Sequence, residues 1–336
     1  MALASAVVLY HGGALPPLTG HSAVFGFFML SGYLMARVIE DVYGTSWRGA
    51  IRFYGNRLLR IMPPYLVVVV VTAVMVRVAG TPAGTVHASA SRLGAGELLS
   101  EMTLHMFADP FVIARQPAHV LVPQAWSLGV EMWFYLAAPA IVVAWRRGLG
   151  WPVMACALAY TAALAVLGWP FYPYRYNSFL GALFVFLAGV AMYRHGARYA
   201  LGAWSFAAYG AMLLAWFALP LVMGGRRFGF EAALVLLFVM TVMVVRLPPW
   251  PRWLKPFDRW CALLSYGVFL THIFVALLIL HLMPDTTVKR GDPLFCALML
   301  AGSVACAWLT YQMLERPLER VRSTLRRRPS PARGTR

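Results

Sequence analysis

Nine apolar runs recur along the chain, at approximately 21–39, 61–79, 124–145, 151–168, 177–193, 201–222, 228–245, 261–282 and 293–314. About 20 apolar residues in a row, wound at about 1.5 Å per residue, cross the hydrocarbon core of a bilayer, and a soluble domain has no use for nine such runs. A tenth apolar segment, Met1–His11, is too short to cross alone. It lacks the basic start and small-residue cleavage site of a signal peptide, so it reads as the second half of a helix truncated at its N-terminus. The composition agrees: 61% of the 336 residues are hydrophobic and 12% are charged, where soluble domains run at about 45–50% and about 25%. A disordered chain, a collagen-like repeat and an ordinary cytosolic enzyme are thereby excluded. No strand-like alternation or internal repeat is visible. The sequence predicts an all-α fold: a polytopic membrane helix bundle with about ten transmembrane helices.

The charges are lopsided, with 29 Lys and Arg against 12 Asp and Glu, a formal net charge of +17. In a soluble protein this would suggest nucleic acid. Here the basic residues lie in short loops between apolar runs, which points to anionic headgroups and anionic cytosolic ligands, with no nucleic-acid partner. Assigned alternately to two sides, the segments 37–60, 146–150, 194–200, 246–260 and the tail from 315 hold 21 Lys and Arg, and the other side holds 8. The positive-inside rule makes the richer side cytoplasmic, and ten crossings put both termini there. The expected organisation is a membrane domain over 1–315 and a basic, disordered cytoplasmic tail over 316–336. The longest outer segment runs over about 80–123. Cys156, Cys261, Cys296 and Cys306 show no CxxC and no His–Cys spacing suited to zinc, so no metal site is expected.

Ionisable groups at membrane depth are costly and usually face a cavity or a partner. Glu131, within "QAWSLGVEMWFYLAAP", has no basic residue within a helical turn. It reads either as a pocket carboxylate or as a helix-to-helix hydrogen bond. His11 ends the first apolar segment, just before "GGALPP". It reads as a proton-transfer group, or as an interfacial histidine of the kind common at helix ends. His272 lies in a full span, "LLSYGVFLTHIFVALL". His21, His281 and Glu231 lie nearer helix ends and require no special role. The inner segment "WRGAIRFYGNRLLRIMPPY" holds Arg48, Arg52, Arg57 and Arg60 among apolar residues suited to an interfacial helix. It is either a lipid-headgroup platform or a phosphate clamp, since Arg holds phosphate with a rigid fork. Pro63–Pro64 is expected to end that segment and turn the chain into the next span.

Taken in order, these motifs resemble the acyltransferase-3 family of integral membrane acyltransferases. "VVLYHGG" is similar to the family's first helix and its histidine, at His11. "FGFFMLSGYL" resembles its FF-x-LSG helix, at Ser31 and Gly32. "NRLLRIMPPY" resembles its R-x-x-R-I-x-P loop, at Arg57, Arg60 and Pro63. "WSLGVEMWFY" resembles its WSL-x-x-E-x-x-FY helix, at Trp126, Ser127 and Glu131. "SYGVFLTH" and "ERP" resemble its late histidine helix, at His272, and its closing segment, Glu315–Pro317. Two departures stand out. The family's first-helix Arg would fall just before Met1, and Phe25 occupies a position where many members carry Asp.

The resemblance implies a stand-alone membrane O-acyltransferase of the inner (plasma) membrane. It would move an acyl group, most often acetyl, from acyl-CoA to a hydroxyl of a carbohydrate, a cell-envelope polysaccharide or its lipid-linked precursor. The implied catalytic residues are His11, as base or transient acyl carrier, and Glu131, orienting or charge-stabilising the imidazole. Arg52, Arg57 and Arg60 would hold CoA. Trp126, Ser127, Tyr135 and His272 would contact substrate. The expected partners are the bilayer, acyl-CoA as donor and a glycan acceptor, with no metal. Two enzymatic and non-enzymatic alternatives stay open: acylation of a non-sugar small molecule such as a macrolide, and export of a small acylated or anionic compound. A structural scaffold ranks last, since it needs neither the arginine cluster nor an embedded carboxylate.

Overall fold

The computed structural model describes residues 1–80, 95–104, 121–196, 201–202, 204–223, 229–283 and 289–326. Among them there is no strand. Twelve α-helices follow in order: α1 Ala2–Gly12, α2 Pro17–Val38, α3 Trp47–Ala79, α4 Ala95–Met102, α5 Ala125–Arg146, α6 Gly150–Val166, α7 Phe179–Gly196, α8 Trp204–Met223, α9 Gly229–Arg246, α10 Lys255–Leu282, α11 Pro293–Thr310 and α12 Arg316–Arg326. Seven helical stretches are long and apolar enough to cross a membrane, and α1, α6 and α7 are shorter apolar helices. The apolar runs of the sequence therefore all fall on helices of a membrane bundle.

Burial sorts these helices into centre and rim. In α2, 72% of the apolar stretch is buried inside the bundle, against 11% in α8. α2 packs against α1, α5, α7, α8 and α9. Its crossing with α7 is close because both helices present glycine there. A Cβ on Gly32 would stand 2.0 Å from the Phe186 carbonyl oxygen, and one on Gly189 would stand 2.0 Å from that of Met29. The stacked rings of Phe28, Phe186 and Phe134 fill the space beside this contact. On the outside, Val67, Val70, Val74 and Val78 of α3 are exposed at helical spacing. An apolar stripe of that kind suits lipid.

Three features differ from the sequence reading. First, Pro63 and Pro64 do not end a helix; they lie inside the continuous 33-residue α3. Proline is tolerated in a membrane helix where neighbours take up the loosened backbone. At this level the Tyr266 hydroxyl of α10 donates to the Ile61 carbonyl at 3.0 Å and ties α3 to α10. Second, residues 316–326, expected as the start of a disordered tail, form α12 and pack on α3. The Asn56 amide donates to the Arg322 carbonyl at 3.1 Å. The rest of that tail, 327–336, lies outside the described residues. Third, the segment over about 80–123, expected on the outer side, contains α4, anchored by Glu101, which no motif singles out. The Glu101 carboxylate accepts from the Leu121 N–H at 2.6 Å and from the Tyr65 hydroxyl at 3.2 Å. Burial pushes that carboxyl above its usual range.

Candidate active site

The end of α1 is fixed by its backbone. Gly13 adopts φ 90°, a left-handed value that ends the helix at little cost only for glycine. The Gly12 carbonyl accepts from the Gly291 N–H at 2.7 Å, tying the turn to the start of α11. His11 thus stands at a rigid corner between α1, α10 and α11.

The imidazole of His11 meets that of His272. His272 Nε2 lies 3.1 Å from His11 Nδ1, with ring centroids 4.9 Å apart. Two carbonyls fix the protons. The Phe269 carbonyl, 2.6 Å from His272 Nδ1, can only accept, so that nitrogen carries hydrogen. In the neutral ring, His272 Nε2 is then an acceptor. The Val7 carbonyl, 3.1 Å from His11 Nδ1, likewise requires hydrogen there. One assignment satisfies all three contacts: His11 Nδ1–H is shared between the Val7 carbonyl and His272 Nε2. The lone pair of His11 therefore resides on Nε2, which has no hydrogen-bond partner among the described residues.

Glu131 does not orient this imidazole. Its Oε1 accepts from the Ser31 hydroxyl and from the Tyr135 hydroxyl, each at 2.6 Å. No hydrogen bond or ion pair joins it to His11 among the described residues. Among the described residues the side-chain hydrogen-bond partner of the His11 ring is a second histidine rather than the carboxylate. Sequence spacing cannot register two rings brought together from residues 261 apart. Glu131 instead belongs to a polar string with Ser31 and Tyr135. That string leads to the arginines. The Arg57 guanidinium carbon is 6.0 Å from the Tyr135 ring centroid and 5.9 Å from that of Phe53.

The expected substrate contacts divide. Ser127 is buried and spends its hydroxyl on the Gln124 carbonyl at 2.9 Å. Tyr135 is buried and held by Glu131. His272 is fully buried, with both ring nitrogens engaged. None of these three presents a free surface to a substrate. Trp126 does lie in an aromatic wall, its ring 4.8 Å from that of Tyr176. The same wall holds three residues that the sequence reading passed over or set aside. The Tyr10 ring is 4.8 Å from that of His11. The Tyr172 hydroxyl is 2.6 Å from His21 Nε2, and Tyr10 reaches the same nitrogen at 3.3 Å. Tyr172 is 42% exposed, so this wall opens at the surface beside His11. Tyr10 adjoins the histidine in sequence, but Tyr172 and Tyr176 come from a kinked turn, Phe171–Arg175, in which Tyr172 is extended (φ −95°, ψ 135°), and its flank, which no motif marks.

At the other end of the bundle, Arg57 and Arg60 of α3 face α12. Arg60 and Arg322 lie within electrostatic reach of each other and of Glu315. Arg52 Nε donates to the Arg48 carbonyl at 3.4 Å.

Helices sized for a bilayer, a contact between the buried His272 and the half-buried His11, and a basic cluster on α3 and α12 define a membrane-embedded protein. The chain belongs to the acyltransferase-3 family: the family profile, an acyltransferase domain, matches residues 3–312. It is an integral membrane O-acyltransferase. No curated protein and no solved structure matches it.

Proposed function

We propose that the protein transfers an acyl group, acetyl in the simplest case, from acyl-CoA to a hydroxyl of a carbohydrate or glycan precursor, with His11 as general base, in the inner (plasma) membrane. The observation that carries this reading is the free Nε2 lone pair of His11, held in place by Nδ1–H contacts to Val7 and His272 beside an open aromatic wall. Aromatic faces with hydroxyl and imidazole tips suit a sugar ring, whose C–H face stacks and whose hydroxyls bond sideways.

In the proposed step, the acceptor hydroxyl gives its proton to His11 Nε2 as its oxygen attacks the thioester carbonyl. The tetrahedral intermediate collapses, the C–S bond breaks, and the departing thiolate takes the proton from Nε2. The charge that forms on the imidazole is shared through Nδ1–H with the His272 lone pair, a charge-assisted hydrogen bond in a dry site. The donor enters from the arginine end. Tyr266, bonded to the Ile61 carbonyl, and His272 are six residues apart on α10, so about 9 Å of helix rise separates the arginine level from the histidine level. A pantetheine arm spans that gap. Glu131 lies along this route and accepts from an amide N–H of the arm, and Trp126 and the tyrosines take the acceptor.

The test is His11→Ala, assayed for transfer from radiolabelled acetyl-CoA into membrane glycans at matched amounts of folded protein. The reading expects loss of turnover with CoA binding retained. Retained turnover removes His11 from the chemistry.

A further inference from the structure

The interface between α3 and α12 holds more positive charge than it neutralises. Arg57 and Arg60 come from α3, and Arg322 and Arg326 come from α12. The carboxylates facing them are Glu315 and Glu319. Glu319 engages two of the four, Arg322 at 2.8 Å and Arg326 in a shorter contact. Among the described residues only Glu319 forms ion pairs with them, and the buried Glu315 Oε1 has no hydrogen-bond partner. Arg322 is 5% exposed and lies close enough to Arg57 and Arg60 to feel both charges. Like charges brought together out of water are costly unless something of opposite sign joins them.

The unsatisfied donors point the same way. Arg57 Nε, Arg322 Nε and Arg326 Nε are all buried without a hydrogen-bond partner among the described residues. Tyr43 senses the charges of Arg57, Arg322 and Arg326, which places it in the same cluster. Asn56 is the shared brace: its Oδ1 accepts from Arg57 at 3.3 Å and from Arg322 at 3.5 Å. Buried donors in natural proteins find partners. Several guanidinium groups gathered around Asn56, three of them with a spare Nε donor, match the oxygen-rich, multiply charged surface of phosphates.

We propose that α12 closes an anion site whose other wall is α3: Arg57, Arg60, Arg322 and Arg326 together hold the phosphates of a soluble polyphosphate ligand. This rests on the donor reading above, in which that ligand is the nucleotide end of CoA, and it assigns the site's second wall to a segment that sequence reading leaves as tail. A lipid headgroup offers the same phosphate chemistry. The burial of Arg322 favours a ligand that enters the protein over one that stays in the bilayer surface.

The experiment measures binding of unacylated CoA and of inorganic pyrophosphate to the full-length protein in nanodiscs, by calorimetry. Discs of phosphatidylcholine are compared with discs containing phosphatidylglycerol. Arg322→Gln and Arg326→Gln are each expected to weaken CoA binding by about tenfold or more, as loss of a charge-assisted contact does. Arg322→Lys keeps the charge and recovers part of the affinity. Thermal melting confirms that each variant is folded. Unchanged CoA affinity in folded Arg322→Gln and Arg326→Gln overturns the proposal, and with Arg57→Ala weakened it leaves the donor reading intact. Pyrophosphate binding that needs these arginines, without CoA binding, keeps the site and overturns the donor reading. Binding of neither probe, with stabilisation only by phosphatidylglycerol, assigns the arginines to lipid and overturns the soluble ligand.

Discussion

Removing the acceptor that His272 offers to His11 should slow the chemical step without loosening the donor. Two substitutions isolate that contact. His272→Leu leaves no acceptor near His11 Nδ1. His272→Gln places a carbonyl oxygen near the former Nε2 position, 3.1 Å from His11 Nδ1. Both lose the bond from His272 Nδ1 to the Phe269 carbonyl, so that common cost cancels between them. The Val7 carbonyl keeps the neutral His11 in the same tautomer in either variant. The difference therefore falls on the moment when Nε2 has taken the acceptor's proton and the ring is cationic. A hydrogen bond to a charged group contributes about 1.5–3 kcal/mol, and 1.36 kcal/mol is about tenfold in rate. His272→Leu should thus lower kcat by about 10- to 100-fold, with KM for acyl-CoA unchanged, and His272→Gln should recover most of that loss. The assay is steady-state transfer from acetyl-CoA in nanodiscs, normalised to folded protein by melting. A kcat for His272→Leu within about threefold of the parent would refute the reasoning. So would a Gln variant as slow as the Leu variant, since His272 would then matter for packing alone.

Two further outcomes follow from single distances. Gly32→Ala puts a methyl group 2.0 Å from the Phe186 carbonyl oxygen, so α2 and α7 must separate. Overpacking of this kind costs about 1–3 kcal/mol, and the variant should melt at a lower temperature and lose the Ser31–Glu131 contact. Tyr172→Ala removes an exposed ring from the wall beside His11, and should raise KM for the acceptor while leaving acetyl-CoA hydrolysis in its absence unchanged. An unaltered acceptor KM would separate Tyr172 from the acceptor.

Apolar runs near bilayer length made the helices legible, because a helix that meets lipid must be apolar over its whole length. The Arg57/Arg60 pair and the Glu131 position were legible because charge at such places is expensive and therefore informative. The partners of those groups were not. Glu131 bonds Ser31 from 100 residues away, and His11 meets His272 from 261 away, and no local pattern encodes either distance. α12 was obscured for a different reason. Its arginines merge into the run Arg326–Arg328 and the Pro- and Gly-containing end, so composition masks the helical spacing of Glu319, Arg322 and Arg326.

That spacing bears on the proposed arrangement, in which the base His11 and the arginines stand at two levels of one bundle about 9 Å apart along α10. On that reading a donor held by its phosphates at α3 and α12 is fixed away from the chemistry, and its thioester reaches the histidine level past Tyr266 and Glu131. Binding energy taken from the phosphates can then position the carbonyl against His11 without any strong contact at the carbonyl itself, and remote contacts of this sort raise the rate rather than merely tightening the ground state. On the same proposed reading the acceptor stacks on the aromatic wall of Tyr10 and Tyr172, which carries no formal charge. Weakening the arginines should therefore lower kcat as well as donor affinity, whereas weakening the aromatic wall should act on the acceptor alone. A double variant, Arg322→Gln with Tyr172→Ala, should show the two effects adding in free energy, because the sites share no residue. Strong coupling between them would mean that donor and acceptor meet at a single site, and the two-ended arrangement would be wrong.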